Sequence, residues 1–240
     1  MIFEPKVFER LFFPLNKEVY GLIQKVLDEI GENQKNFNIS IKYNQPDLDI
    51  EKLQFSVDFD ISLGYIKKSS DFSNGNLLSL AFNQGNVVNS FYIPLEYLLG
   101  SNNDVVLHAE SNYIYSYTIY TDKRTKVDSI NNDVKIKEDI NPYLYIGITK
   151  KSWQSRNSSH SRNIKEKPGR LIYKALNGEF GEIKEKRLFI EKAGLTEKEA
   201  LDLEEKEVNE RSYNLLFPNG LNMIPGGDAG RKLFENKKAS

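Results

Sequence analysis

The sequence predicts an α+β chain with two unlike halves. Three observations predict it: an amphipathic helical pattern over 16–30, a change to period two over 53–63, and tyrosine-rich strands followed by helices beyond residue 110. In the helical pattern Val19, Leu22, Ile23, Val26, Leu27 and Ile30 recur at three- and four-residue spacing, and Gly31 follows as a stop. In the next stretch Leu53, Phe55, Val57, Phe59, Ile61 and Leu63 alternate with polar residues, as in a strand with one buried face. Residues 38–43, 77–82 and 87–95 also read as strands, with turn chemistry in Ser73-Asn74-Gly75-Asn76 and Asn83-Gln84-Gly85-Asn86. The first half is thus a helix plus an antiparallel meander. Its only histidine, His108, reads as structural or solvated.

Beyond residue 110 the pattern changes. Tyr113-Ile114-Tyr115-Ser116-Tyr117-Thr118-Ile119-Tyr120 is a β-rich run crowded with phenols, and residues 121–141 are polar and read as a long loop or hairpin extension. Tyr143-Leu144-Tyr145-Ile146-Gly147-Ile148-Thr149 is a second strand, and Pro142 suits the position just before it. Helical patterns occupy 152–164 and 168–177, then a longer one spans 196–212. The last opens with Thr196-Glu197-Lys198-Glu199, a capping box. The expected organisation is a domain over 1–110, a second over 111–230 and a basic tail over 231–240.

Composition narrows the function. No apolar run is long enough to span a membrane, and Met-Ile-Phe-Glu-Pro lacks the pattern of a signal peptide, so a cytoplasmic location is expected. The absence of cysteine excludes disulfides, thiolate zinc sites and cysteine nucleophiles. The net charge of −1 conceals an asymmetry: residues 1–110 carry 9 Lys/Arg against 15 Asp/Glu, and residues 111–240 carry 24 against 19. A basic second half suits nucleic acid; an acidic first half suits a protein partner or a homodimer contact.

The chemistry-bearing residues of the second half form an ordered series. The tyrosine-rich strand comes first, then Tyr145-Ile146-Gly147, and then Arg156 and His160 within one helical pattern. Glu204 follows in Ala200-Leu-Asp-Leu-Glu204-Glu-Lys-Glu-Val208, and Asn222 precedes Gly226-Gly227. Arg156 and His160 are four residues apart, hence on one helix face, where both side chains can reach one phosphate. The planar guanidinium matches phosphate oxygens, and a lone carboxylate suits Mg²⁺, which keeps several waters.

In this order the series resembles the GIY-YIG nucleases, which include homing endonucleases, some restriction enzymes and an incision subunit of nucleotide excision repair. The resemblance covers roughly 111–230 and implies a small antiparallel sheet flanked by helices. It also implies a DNA endonuclease dependent on Mg²⁺ or Mn²⁺, restriction-like or defence-related in role. Arg156 would clamp the transition state, and His160 would carry a proton or contact phosphate. Glu204 would hold the metal, because Ala200, Glu204 and Val208 fit the family register where Glu205 and Glu207 do not. Tyr145 would act as or support the general base beside a first-motif tyrosine, and Asn222 would hold the active site or a loop through its amide. Gly226 and Gly227 read as a turn.

Two features depart from the family pattern. No glycine opens the first motif, so either Tyr113-Ile114-Tyr115 or Thr118-Ile119-Tyr120 fills its place. Tyr115 is preferred because the strand then has room to run on. Tyr115 and Tyr120 have opposite parity, so a regular strand cannot present both to one site. The 121–141 insertion, with Lys123, Arg124, Lys126, Lys135 and Lys137, is longer than the usual hairpin connection and reads equally as a groove-reaching element or a solvated loop. The missing glycine also supports a second reading, an inactive nucleic-acid-binding or protein-interaction module that keeps the fold. A third is a nuclease for RNA or branched DNA.

Overall fold

A computed structural model describes residues 3–30, 38–50, 53–66, 75–99, 106–108, 110–124, 127–130, 133–136, 142–230 and 232. For residues 26, 29–30, 38–50, 53–66, 75–76, 124, 127–130 and 133–136 it describes the backbone alone. The expected turn at 73–74, Lys126, Lys137 and nearly all of the basic tail lie outside the described residues.

Helix α1 (Pro5–Leu11), which the periodicity does not announce, starts with proline in its first turn and with the Glu4 side chain accepting from Lys6 N at 3.1 Å. It buries Val7, Phe8 and Leu11. Helix α2 (Lys17–Ile30) follows the sequence expectation, with Asn16 accepting from Val19 N at 3.1 Å and Val19, Ile23 and Leu27 fully buried. Strands β1 (Asn38–Ile50), β2 (Leu53–Ile66), β3 (Gly75–Gln84) and β4 (Val87–Pro94) form the expected antiparallel meander.

The second half supplies β5 (Asn112–Thr121), β8 (Tyr143–Thr149) and β9 (Ile183–Leu195). Helices α3 (Trp153–Glu166), α4 (Leu171–Leu176) and α5 (Glu197–Glu207) complete it, with a π-helical turn (Val208–Ser212) closing α5. Between β5 and β8 the insertion forms a two-stranded ribbon, β6 (Val127–Ile130) with β7 (Asp133–Ile136). The Thr196 capping box is formed, with Glu199 N donating to the Thr196 hydroxyl at 3.3 Å and Thr196 N to the Glu199 carboxylate at 2.9 Å.

All seven long strands make one mixed sheet in the order β1-β2-β3-β4-β9-β5-β8. The boundary expected near residue 110 is therefore not a gap in the sheet. Strand β9 lies parallel to β4 on one side and antiparallel to β5 on the other, so it joins the meander to the tyrosine strands. One core also crosses that boundary, holding Phe8, Phe12, Phe13 and Phe91 together with Tyr115, Trp153 and Ile190. Trp153, the first residue of α3, meets Phe91 edge-on at 4.7 Å and Phe13 at 6.2 Å, and Gln154 N donates to Phe12 O at 3.2 Å. Burying such an indole is worth roughly 4–6 kcal/mol at ~25 cal/mol per Å². The first half thereby fixes where the Arg156 helix begins. A smaller core on the other face holds Ile114, Ile146, Ala200 and Val208 under α5.

Candidate active site

Strands β5 and β8 pair antiparallel with Tyr115 opposite Gly147 and Tyr117 opposite Tyr145. Alternation puts Tyr113, Tyr115 and Tyr117 in the larger core and Ile114 in the smaller. The Tyr115 and Tyr145 rings lie 6.2 Å apart, centre to centre. Gly147 makes this possible: a Cβ there would stand 2.9 Å from the Tyr115 hydroxyl, closer than Cβ atoms come, and a tight 3.0 Å from the Tyr145 ring. The glycine of Tyr-Ile-Gly is thus required by the two phenols rather than by a turn.

Helix α3 lies over this face. Arg156 Nε donates to the Tyr115 oxygen at 3.0 Å, and His160 Nε2 lies 3.3 Å from the same oxygen. The i, i+4 spacing puts both groups on one helix face, where both meet the same phenol oxygen. The two terminal nitrogens of Arg156 have no protein partner among the described residues, so most of the guanidinium fork remains open to an anion. Burial holds the Tyr115 phenol above its ordinary value, while the Arg156 charge and hydrogen bond pull it down. Burial likewise raises Tyr145.

His160 is buried and edge-on to Tyr145 at 6.0 Å. Burial, and then the charges of Arg156 and Arg170, push its pKa down to about 3, so the imidazole is neutral at ordinary pH. Its Nδ1 has no hydrogen-bond partner among the described residues. A neutral imidazole so held is a brace for the phenol.

Beside the phenols a cavity of about 340 Å³ is lined by Tyr145, Arg170, Glu204 and Asn222, with Met223 and Gly226 on its wall. Glu204 is half-buried on α5, and its charge reaches both phenols. The Gly226-Gly227 pair does more than turn the chain. A Cβ on Gly226 would lie 2.4 Å from Glu204 O and one on Gly227 2.7 Å from Leu201 O, and Gly227 N donates to the Glu204 carboxylate at 3.2 Å. The competing carboxylates have other surroundings: Glu207 pairs with Arg211 at 2.8 Å, and Glu205 packs on Gly227.

Asn222 belongs to the frame of the site. Its carbonyl accepts from Ile146 N at 3.0 Å and its amide donates to Ile146 O at 2.8 Å, replacing a strand partner along the outer edge of β8. Two such bonds contribute roughly 1–3 kcal/mol together. They also cover a strand edge that would otherwise be open to pairing.

Sequence reasoning passed over Arg170 and Tyr173. Tyr173 is buried, accepts from Asn163 Nδ2 at 3.0 Å and lies 5.8 Å from the His160 ring. Both lie in a short helical pattern that carried no motif signal. Tyr120, the alternative first-motif tyrosine, lies apart from this cluster beneath Arg187, whose guanidinium is 4.5 Å from its ring centre. His108 lines a larger, open depression of about 570 Å³ with Glu110 and Lys150, and its Nδ1 accepts from Glu110 N at 3.2 Å. Comparison of the chain with family models, curated proteins and solved structures finds no match. No helix among the described residues is long and apolar enough to cross a membrane.

Proposed function

We propose that this protein is a metal-dependent DNA endonuclease of the GIY-YIG type, hydrolysing phosphodiester bonds at the cavity beside Tyr145. The observation that carries the reading is the Tyr115–Arg156 pair. A half-buried arginine spends one nitrogen on a phenol and keeps the rest of its fork for an anion, and Tyr145, whose ring packs on that phenol, lines a cavity with Glu204 as the one carboxylate among its described residues. That arrangement suits a phosphate gaining negative charge in its transition state.

In this reading Tyr115 and His160 brace Arg156, and the Arg156 fork holds the scissile phosphate. Tyr145 faces the cavity; as a phenolate, its own proton having passed to solvent, it takes the proton of the attacking water. Its phenol is held up by burial, and the nearby Arg156 charge lowers the cost of ionising it. Among the described residues no group of three or more candidate ligands gathers, and Glu204 is the one carboxylate among the described residues that line the cavity. One carboxylate fits Mg²⁺ or Mn²⁺, which would complete its shell with water and phosphate oxygens. Bound there, the ion would supply Lewis-acid stabilisation of the leaving oxygen.

Tyr113 stands where the family's first motif has glycine. Its ring is buried, and its hydroxyl donates to Lys151 O, with Leu11 O 3.3 Å away as a second neighbour. The bulk that replaces glycine is therefore absorbed by α1, which supports an active site over a dormant one.

Plasmid nicking with Mg²⁺ and with chelator tests the reading in wild type, Arg156→Ala and Glu204→Ala. Metal-dependent nicking should fall by roughly 10²–10³ in Arg156→Ala and be lost in Glu204→Ala. Wild-type protein that cleaves no plasmid, branched duplex or structured RNA with any divalent ion would sink the nuclease. Cleavage surviving Glu204→Ala would move the metal elsewhere.

A further inference from the structure

We propose that Arg170 is a second phosphate-positioning residue, holding the phosphodiester next to the scissile one, while Arg156 serves the scissile phosphate itself. The inference rests on the nuclease reading and deepens it. Arg156 touches the phenol side of the cluster and is not among the residues lining the cavity. Among the described lining residues Arg170 is the sole cation and Glu204 the sole anion. A DNA backbone entering this cavity past Glu204 meets a carboxylate, and its charge is met from within the cavity by Arg170.

The chain holds Arg170 firmly enough for that task. It begins α4, accepting at its carbonyl from Tyr173 N and Lys174 N, both at 3.0 Å, while its own N–H donates to Lys167 O at 3.2 Å. Ile172 and Tyr173, immediately after it, are anchored in the core at 3% and 4% exposure. Arg170 as a whole is half-buried and lines the cavity together with Tyr145, Asn222, Ile172 and Leu221. A long side chain leaving a rigid turn into a 340 Å³ cavity can present a planar fork to phosphate oxygens. Its charge also reaches His160, so it belongs electrically to the same cluster as Arg156.

The test is the rate of supercoiled-plasmid nicking in Mg²⁺, against plasmid concentration and at several salt concentrations, for wild type, Arg170→Gln and Arg170→Lys. Arg170→Gln should raise KM about tenfold with kcat changed far less, because a positioning contact is lost while Arg156 stays. The salt dependence of log kcat/KM should become shallower by about 0.9, one phosphate contact's worth. Arg170→Lys should recover the salt slope and only part of the KM, since it keeps the charge and loses the fork. Melting curves establish that the variants fold, and if Arg170→Gln does not, the Arg170→Lys KM decides. Unchanged KM and salt slope in a folded, active variant would overturn the proposal and leave the nuclease standing. A wild type without nicking overturns both together.

Discussion

Tyr115 and Tyr120 lie on the same strand, face opposite sides of the sheet, and each accepts a hydrogen bond of 3.0 Å from an arginine. The two regions nevertheless differ in what surrounds the guanidinium. Arg187, above Tyr120, is held by both oxygens of Glu185 at 2.7 and 3.0 Å, so its charge is already answered. Arg156, beside Tyr115, meets two phenols and a neutral imidazole, and among the described residues no carboxylate pairs with it. A tyrosine–arginine contact is thus not by itself a site. The distinguishing feature is a cation that no carboxylate among the described residues pairs with, because a partly desolvated charge lacking a counter-ion favours an incoming anion.

The largest effect that would sharpen this comparison is on rate. Tyr115→Phe should lower plasmid-nicking kcat by roughly 10²–10³, since Arg156 loses its brace, while Tyr120→Phe should stay within about twofold. Equal losses in single-turnover measurements of the two variants would erase the distinction. Next comes the close approach at β8. Gly147→Ala introduces a methyl at 2.9 Å from the Tyr115 hydroxyl, and should destabilise the fold by about 1–3 kcal/mol in urea denaturation and lower kcat about tenfold. A Gly147→Ala variant with stability and kcat both unchanged would mean that the phenols are not pressed on this residue.

The smallest effect is on acid stability. His160 is held neutral in the folded chain down to about pH 3, whereas the unfolded chain takes up this proton near its ordinary pKa of 6.5. Between those values the unfolded state binds the extra proton, so His160 makes stability rise with pH through that window and fall on acidification. His160→Gln should flatten that part of the Tm-versus-pH curve by a few degrees. An unaltered curve would mean that the imidazole is protonated in the folded protein.

The outcome of each element follows from where its information lies. Local signals read well: the capping box at Thr196, the helical period of α2 and the strands β2, β3 and β5 are set by a residue and its near neighbours. Strand β9 escaped because Lys184, Glu185, Lys186 and Arg187 mask its pattern, although it occupies the interior of the sheet between β4 and β5. Its charged side chains find partners such as Ser90 and Tyr120 on neighbouring strands, which no local window contains. Helix α1 was missed because seven residues give too little periodicity to distinguish it from an apolar run.

For the candidate site, the sequence by itself determined the ordered residue types, the shared helix face of Arg156 and His160, and the opposed parity of Tyr115 and Tyr120. These follow from fixed periods of 3.6 and 2. Only the tertiary structure decided that Arg156 meets Tyr115, that Gly147 is empty space for two phenols, and that Gly226 and Gly227 seat Glu204. It alone added Arg170 to the cavity and joined the first half to the Arg156 helix through Phe13, Phe91 and Trp153. Such facts depend on packing between segments far apart in the chain, where shape and charge are matched in space and leave no period to read.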